Sequence, residues 1–214
     1  MKTSPKLRLS TCAAAVAAAC AALAFAAVEP SATLLENDQV KVVRALEKAH
    51  VKGSFHEHKV NRVMIYLQDG KQRFEYKDGR PAADFAWKAG QVVFSKADGM
   101  HQPEVVSDEP FNIIEIELKN PAATPAGKVK ASGDILSACR RQCKLEFEND
   151  QVRVIHVRLS GFEKASRLNL THNSVRVYLS GKKAGQAIFD KPGRKPLENV
   201  ADGLLEFVIV ELKS

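Results

Sequence analysis

Two of the six histidines form a His-x-His pair, His56 and His58. On an extended strand, residues i and i+2 point to the same face and lie about 6–7 Å apart. Two imidazoles placed in this way can bind one metal ion at roughly 2.0–2.1 Å each. The β-branched, apolar run over residues 63–67 comes next, and Asp69-Gly70 ends it as a turn. The spacing therefore predicts a metal site in which one strand carries two ligands and the next strand turns back beside it.

The elements around this pair occur twice in the chain. Residues 36–42 (ENDQVKV) recur as residues 148–154 (ENDQVRV), an offset of 112. With the same offset and no gap, residues 62–67 align with residues 174–179. Two further blocks follow in the same order: KAGQ at 88–91 and 183–186, and ELK at 117–119 and 211–213. Four matched blocks in one order indicate an internal duplication.

Short alternating strands and glycine turns in both copies predict an all-β protein with two β-barrels in tandem. The first copy has 17 additional residues, which include a β-hairpin over residues 72–87. The second barrel should therefore be smaller, with strands over residues 152–159, 174–179, 186–189 and 205–212. The Pro/Ala/Gly-rich residues 120–131 predict a linker, and residues 132–144 are the one stretch with helical content. Together, residues 120–145 should join the two copies.

Residues 1–26 predict a secretory signal peptide. A basic start precedes an alanine-rich apolar run, and Ala24-Phe25-Ala26 is a small-x-small cleavage signal. The run is short for a transmembrane anchor. A lipoprotein at Cys20 is disfavoured, because Ala17 stands where an aliphatic residue belongs. We therefore expect a periplasmic or secreted protein with no stable membrane insertion after the leader is cleaved.

The mature chain gives no indication of a nucleic-acid partner. The leader holds three basic and no acidic residues, so its removal lowers the formal net charge from +7 to +4. Cys139 and Cys143 are the cysteines that remain, and an oxidising compartment favours a disulfide between them. An i, i+4 pair on a regular helix is near the limit of allowed Cα separation, so a disulfide needs a local turn. Two free thiols are the alternative.

These residues resemble the cupin family, small jelly-roll barrels that are recognised by two motifs. The first motif is Gly-x5-His-x-His-x3-4-Glu-x6-Gly. His56, His58 and Gly70 fit it, whereas His50 stands at the first Gly and Val63 at the Glu. The second motif is Gly-x5-Pro-x-Gly-x2-His-x3-Asn, of which the chain keeps Gly90 and His101 and replaces the rest with Lys96, Asp98 and Val105. The resemblance covers residues 35–119 and, in degenerate form, residues 147–213, so the chain looks like a bicupin.

The resemblance implies one divalent transition metal (Zn, Fe, Mn, Ni or Cu) bound by His56, His58 and His101. Three neutral histidines without a carboxylate suit such an ion and leave positions open for water or substrate. Because Val63 stands at the Glu position, we expect Val63, Ile65 and Leu67 to face the lumen and to make it apolar. The alternative is a relic site in which the histidines are satisfied by hydrogen bonds and hold no metal.

The second copy keeps none of these ligands. Leu168 and Leu170 replace the His-x-His pair, and the third position falls near Lys195-Pro196. We expect this barrel to be structural and to help pack or dimerise the first, which allows a homodimer. We expect no central role for the remaining candidates. His156 and His172 should be strand or surface residues, Tyr66 should pack in the sheet, and Glu57 should point away from the lumen. Glu104 has a minor chance of acting as a base or as an extra ligand.

Two functional hypotheses follow. The first is a metal-dependent enzyme, dioxygenase- or isomerase-like, that acts on a small molecule. The second is a non-catalytic binding or structural module with a relic metal site. An apolar lumen is short of acids and bases, which argues against proton-transfer chemistry. The sequence assigns no catalytic residue and names no substrate.

Overall fold

The computed structural model describes residues 31–120, 135–165 and 167–213. The predicted leader and most of the predicted linker lie outside these residues. Among the described residues, no helix has both the length and the apolar character that a membrane crossing requires.

The first domain consists of two antiparallel sheets. Its strands are β1 (Ala32–Glu36), β2 (Val40–Glu47), β3 (His56–His58), β4 (Arg62–Tyr66), β5 (Gly70–Tyr76), β6 (Ala83–Trp87), β7 (Val92–Ser95), β8 (Asp98–Val105) and β9 (Phe111–Leu118). The five-stranded sheet has the order β1-β2-β9-β4-β7, and the four-stranded sheet has the order β3-β8-β5-β6. The predicted hairpin over residues 72–87 is present as β5 and β6, which pair from Gly70↔Trp87 to Phe74↔Ala83. Gly79 in its turn has a φ of 85°, a conformation that favours glycine.

The second domain repeats the first sheet and shortens the other. It comprises α1 (Ile135–Ala138), β10 (Cys143–Glu148), β11 (Val152–Leu159), β12 (Leu168–Leu170), β13 (Ser174–Tyr178), a 3₁₀ turn (Gly181–Lys183), β14 (Ala187–Asp190), β15 (Gly193–Lys195) and β16 (Leu205–Leu212). The order β10-β11-β16-β13-β14 is that of the first domain, strand for strand. The second sheet has only β12 and β15. The predicted all-β duplication with a truncated second copy is confirmed.

The segment before β10 differs from the sequence prediction. Helical structure was expected over residues 132–144, but in the described part it covers only Ile135–Ala138, and Cys143 already begins a strand. The amides of Gln142 and Cys143 both donate to the carbonyl of Cys139, which forms a turn. This turn brings Cys139 and Cys143 to a Cα separation of 5.3 Å, and they form a disulfide. Of the two alternatives for this pair, the structure contains the disulfide.

The two five-stranded sheets pack face to face in one apolar core. Fourteen buried side chains, all Val, Ile or Leu, belong to it, and each domain contributes seven. Two hydrogen bonds at its rim are related by the repeat: Asn61 Nδ2 donates to Gln151 Oε1 at 2.6 Å, and Asn173 Nδ2 donates to Gln39 Oε1 at 2.7 Å. Each partner in the first bond is 112 residues from its counterpart in the second. The domains are therefore related across this core by a pseudo-two-fold axis.

This packing corrects the face that we assigned to strand β4. Val63 and Ile65 are fully buried, but they belong to the core between the domains and not to the lumen of the first one. The motif allows three or four residues between His58 and the Glu position, and counting four selected Val63. Counting three selects Arg62. Because side chains alternate along a strand, this shift of one residue reverses the face of every side chain on β4.

Candidate metal site

Three histidines converge at one end of the first domain. In the ladder between β3 and β8, His56 lies directly opposite His101. The ring centroids are 4.7 Å apart for His56 and His101, 4.8 Å for His56 and His58, and 5.2 Å for His58 and His101. One nitrogen from each ring lies within 4.8 Å of the others. The structure thus brings together the three histidines that the sequence analysis selected.

Backbone carbonyls orient two of these rings. His56 Nδ1 is 2.9 Å from the carbonyl oxygen of Ser54, and His101 Nδ1 is 3.2 Å from that of Gly99. A carbonyl oxygen can only accept, so each Nδ1 carries a proton, and Nε2 is the nitrogen of each ring that can bind an ion when the ring is neutral. Such second-sphere bonds are typical of metal-ligating histidines, since they fix both the tautomer and the ring orientation.

The third ring is held by an arginine. Arg62 Nη1 donates to His58 Nε2 at 2.8 Å and to Glu115 Oε2 at 2.7 Å, while Nη2 donates to Ser95 Oγ at 3.1 Å. Since a guanidinium only donates, His58 Nε2 is an acceptor and the imidazole is neutral. Burial, followed by the charge of Arg62, lowers the pKa of His58 to about 3. Burial also lowers the pKa of His101. Neutral imidazoles are the form that binds metals.

The prediction of an apolar lumen is wrong. The pocket beside the histidines has a volume of about 220 Å³. Arg62, Met64 and Tyr66 reach it from β4, as the corrected register requires. Three carboxylates, Glu47, Asp98 and Glu115, line it as well. The argument against proton-transfer chemistry therefore fails, because it depended on a lumen without acids.

Glu47 ends a chain of hydrogen bonds across this pocket. Trp87 Nε1 donates to Gln72 Oε1 at 2.7 Å, and Gln72 Nε2 donates to Glu47 Oε2 at 2.7 Å. Gln72 is only 1% exposed, so Glu47 accepts its hydrogen bond from a donor that is itself buried. Burial raises the pKa of Glu47 above its usual value. A carboxyl group of this kind can hold or transfer a proton at the pocket surface. The alternation of side chains along a strand could have predicted that Glu47 and Glu115 face the pocket. On β2 and β9 the even-numbered residues, such as Val42 and Ile116, belong to the core between the domains, so the odd-numbered residues point to the other side.

Aromatic rings form the apolar wall. Tyr66 and Trp87 stack with centroids 4.3 Å apart, and Phe85 stacks on the same indole at 5.4 Å. Phe74 meets His101 edge to face at 5.5 Å. Tyr66 thus packs as expected, yet it also lines the pocket. The combination of polar groups at one side and rings at the other is typical of a small-molecule site.

The other candidate residues lie outside this pocket. Glu104 is 3.9 Å from Lys52, and Glu57 is 3.5 Å from Lys59. His156 lies between the carboxylates of Glu146 (3.2 Å) and Glu206 (2.8 Å). In the second domain, Leu168 and Leu170 are buried in an apolar core. Among the described residues, the histidine cluster of the first domain is the one group suited to hold a metal ion.

No protein-family model matches the chain, and no curated protein is significantly similar to it. Solved structures do match. AerE from Microcystis aeruginosa is 13% identical with a TM-score of 0.60 over 86% of this chain and 97% of that one. Oxalate decarboxylase from Bacillus subtilis is 10% identical with a TM-score of 0.57, over 85% and 70% of the two chains. Salicylate 1,2-dioxygenase from Pseudoaminobacter salicylatoxidans is 9% identical with a TM-score of 0.55, over 81% and 69%. At such identities the likeness concerns the fold, and both domains have the predicted cupin fold.

Proposed function

We propose that this cupin-fold protein binds one divalent transition metal through His56, His58 and His101 and acts as a metal-dependent enzyme on a small molecule. The convergence of three imidazoles at one pocket carries the proposal. Two ligands on one ion are at most about 4.2 Å apart, and the nitrogens lie within 4.8 Å of one another. Ring movements of less than about 1 Å therefore suffice to close the site around an ion.

The pocket supports an enzymatic role over simple binding. When bound, the ion acts as a Lewis acid or an O₂ binder with open coordination positions. Glu47 offers a buried carboxyl group for proton transfer, and the stacked Tyr66 and Trp87 exclude water from one side. The proteins of similar fold include two enzymes, an oxalate decarboxylase and a salicylate dioxygenase.

One observation favours a second candidate, a metal-free binding protein. The lone pair of His58 Nε2 is already engaged by Arg62 at 2.8 Å, and this bond must break before the nitrogen can bind an ion. If Arg62 keeps its place, the three histidines are a hydrogen-bonded relic and the pocket binds a small molecule without a metal.

Metal analysis distinguishes the two candidates. We expect the mature protein, purified without added metal, to contain close to one transition-metal ion per chain by plasma mass spectrometry. The double variant His56→Ala, His58→Ala should lose it, whereas the controls His172→Ala and His50→Ala should keep it. His50 bonds Asp108 at the surface, away from the cluster. A double variant that keeps a stoichiometric ion would show that the site lies elsewhere, and a metal-free wild type supports the relic.

We also propose that the mature protein is periplasmic or secreted. Residues 1–26 have the composition of a signal peptide. The disulfide between Cys139 and Cys143 fits an oxidising compartment, where such bonds persist.

A further inference from the structure

Both domains line another cleft, which we call the interdomain cleft. Its volume is about 740 Å³. The first domain contributes the turn at residues 88–92, and the second contributes residues 140–144, Glu146, His156, Arg158 and Glu206. None of these residues lines the metal pocket. Ligand sites occur preferentially at domain interfaces, so the charges in this cleft indicate what it can bind.

The lining of the interdomain cleft has a surplus of positive charge. Five of its side chains are Lys or Arg, and two are Glu. Three of the basic side chains form an ion pair with a carboxylate: Lys88–Asp69 (2.6 Å), Lys144–Glu146 (3.0 Å) and Arg158–Glu206 (3.6 Å). Arg140 and Arg141 form none within the part of the chain that the structure describes. Two positive charges therefore lack a counter-charge.

The charge of Arg141 reaches one further carboxylate, that of Glu163, which is already bonded. Glu163 Oε1 accepts a hydrogen bond from Gln142 Nε2 at 2.7 Å, and Oε2 accepts one from the amide of Ser160 at 2.7 Å. The bond from Gln142, followed by that from Ser160, lowers the pKa of Glu163 more than the charge of Arg141 does. The guanidinium of Arg141 thus keeps its donors for an acceptor in the cleft.

The disulfide holds both arginines on a closed turn. It links Cys139 to Cys143 across Arg140, Arg141 and Gln142. Cys139 is 1% exposed and belongs to the core of the second domain, whereas both arginines are exposed. A turn that is fixed before binding loses less conformational entropy when a ligand binds. Neighbouring cations also repel each other, and an anionic ligand would relieve this repulsion.

The internal repeat shows that the fold does not require this cluster. The ladders between β1 and β2 and between β10 and β11 have the same register at the offset of 112, since Ala32 pairs with Arg44 and Lys144 with His156. At this offset the first copy has no basic residue at four of the five positions: Val28, Glu29, Ala32 and Leu46 stand for Arg140, Arg141, Lys144 and Arg158. The basic residues are therefore a property of this cleft and not of the architecture.

We infer that the interdomain cleft binds a small molecule that carries a phosphate group, with Arg140 and Arg141 as the donors to that group. A guanidinium presents its N–H groups in a fork that matches the oxygens of a phosphate. One phosphate ester carries a charge of about −1.5 to −2 at neutral pH, which equals the surplus that the two arginines leave. Because groups from two domains surround a concave cleft, the ligand is a molecule that enters it and not a membrane surface.

The test is isothermal titration calorimetry of the mature protein with pyrophosphate as the probe. Pyrophosphate should bind with a stoichiometry of one per chain. Tricarballylate, whose carboxylates give it a similar charge without a phosphate group, should bind at least about tenfold more weakly, the effect of one hydrogen bond to a charged group. If pyrophosphate does not bind, the inference is refuted. If tricarballylate binds equally well, the assignment to phosphate is wrong.

The double variant Arg140→Gln, Arg141→Gln isolates the two arginines. It should weaken pyrophosphate binding about a hundredfold, since it removes one charged hydrogen-bond donor at each position. Both side chains are exposed, so the fold should persist, which an unchanged urea midpoint verifies. The matched control is Lys182→Gln, Lys183→Gln, which removes the same charge from the exposed 3₁₀ turn, outside the cleft. This control should bind pyrophosphate as the wild type does.

Two further measurements decide where the phosphate group binds and what carries it. The variant His56→Ala, His58→Ala should bind pyrophosphate unchanged, whereas a loss there would place the probe at the metal pocket and overturn the inference. Equal weakening in the lysine control would reduce the effect to net charge and overturn it as well. Vesicles of phosphatidylglycerol present the phosphate group on a flat surface, and the protein should not sediment with them. Sedimentation that Arg140→Gln, Arg141→Gln abolishes would assign the arginines to a membrane and refute a small-molecule ligand.

Discussion

Glutamate at position 62 and glutamate at position 63 should have opposite consequences for metal-dependent stability. Arg62 faces the pocket beside His58. A glutamate there should face the proposed metal site and supply the carboxylate that the resemblance to the cupin motif implies as the fourth ligand. Val63 is 0% exposed, in the apolar core between the domains, so a glutamate there buries a carboxylate away from any partner. The pair of variants therefore tests the register of β4 directly.

The magnitudes follow from these surroundings. Without metal, Arg62→Glu breaks the buried pair with Glu115 and should cost about 3–5 kcal/mol. Val63→Glu should cost several kcal/mol through the effective desolvation of an unpaired buried carboxylate. Zn²⁺ at a hundredfold excess over its dissociation constant returns about 2.7 kcal/mol to a protein that binds it only when folded. Arg62→Glu should regain most of its loss in this way, and Val63→Glu should gain no more than the wild type does.

Urea denaturation with and without Zn²⁺, followed by the fluorescence of Trp87, measures this difference. Trp87 is the single tryptophan and stacks on Tyr66 in the pocket. Val51→Glu, at a position that is 53% exposed, controls for the added charge and should change stability by less than about 0.5 kcal/mol. The reasoning is refuted if Val63→Glu gains extra stabilisation from Zn²⁺ and Arg62→Glu does not.

Three further predictions concern other parts of the chain. Because burial raises the pKa of Glu47 above its unfolded value near 4.5, the folded state retains a proton that the unfolded state releases. The free energy of unfolding should therefore fall as the pH rises from the pKa of Glu47 in the unfolded state to its pKa in the folded state. The fall should be about 1.4 kcal/mol for each tenfold difference in proton affinity between the two states. Urea titrations across this pH range should show a smaller fall for Glu47→Gln than for the wild type. The double variant Cys139→Ala, Cys143→Ala should lower the free energy of unfolding by about 2 kcal/mol, as expected for so short a loop, and an unchanged denaturation midpoint would contradict this. Mass spectrometry of native protein should find an N-terminus near Ala27, whereas an intact Met1 on cytosolic material would exclude export.

The sequence predicted the elements of this site better than their orientation. The offset of 112 residues led to the observed duplicated fold, and the His-x-His spacing led to His56 and His58. His101 was found through the resemblance to the second cupin motif. The face of β4 was missed because its neighbours Val63 and Ile65 are as apolar as any lumen residue. An apolar residue on one face of a strand reports burial but does not say against which partner. Only the second domain, packed on that face, decides that Arg62 points into the pocket.

The core between the domains explains how the second copy, which has no metal ligands, contributes to the stability of the first. Seven side chains of the first domain are buried there against seven of the second. At about 1.5–3 kcal/mol each, the seven contribute on the order of 10–20 kcal/mol, as much as the net stability of a typical domain. The first domain therefore depends on its partner for this face.

The pseudo-two-fold relation gives this core the geometry of a homodimer interface. Leu67 packs beside Gly185 and Leu179 beside Gly90, each pair the counterpart of the other, as in the reciprocal bonds of Asn61 and Asn173. The same sheet face is used in both copies for this packing, which requires apolar residues at Val63 and Ile65 and at their counterparts Val175 and Val177. The packing between the domains sets no such requirement for the residues on the opposite face of each sheet. One copy can thus carry three histidines and a buried arginine while the other carries leucines, and the chain keeps one interface and one fold.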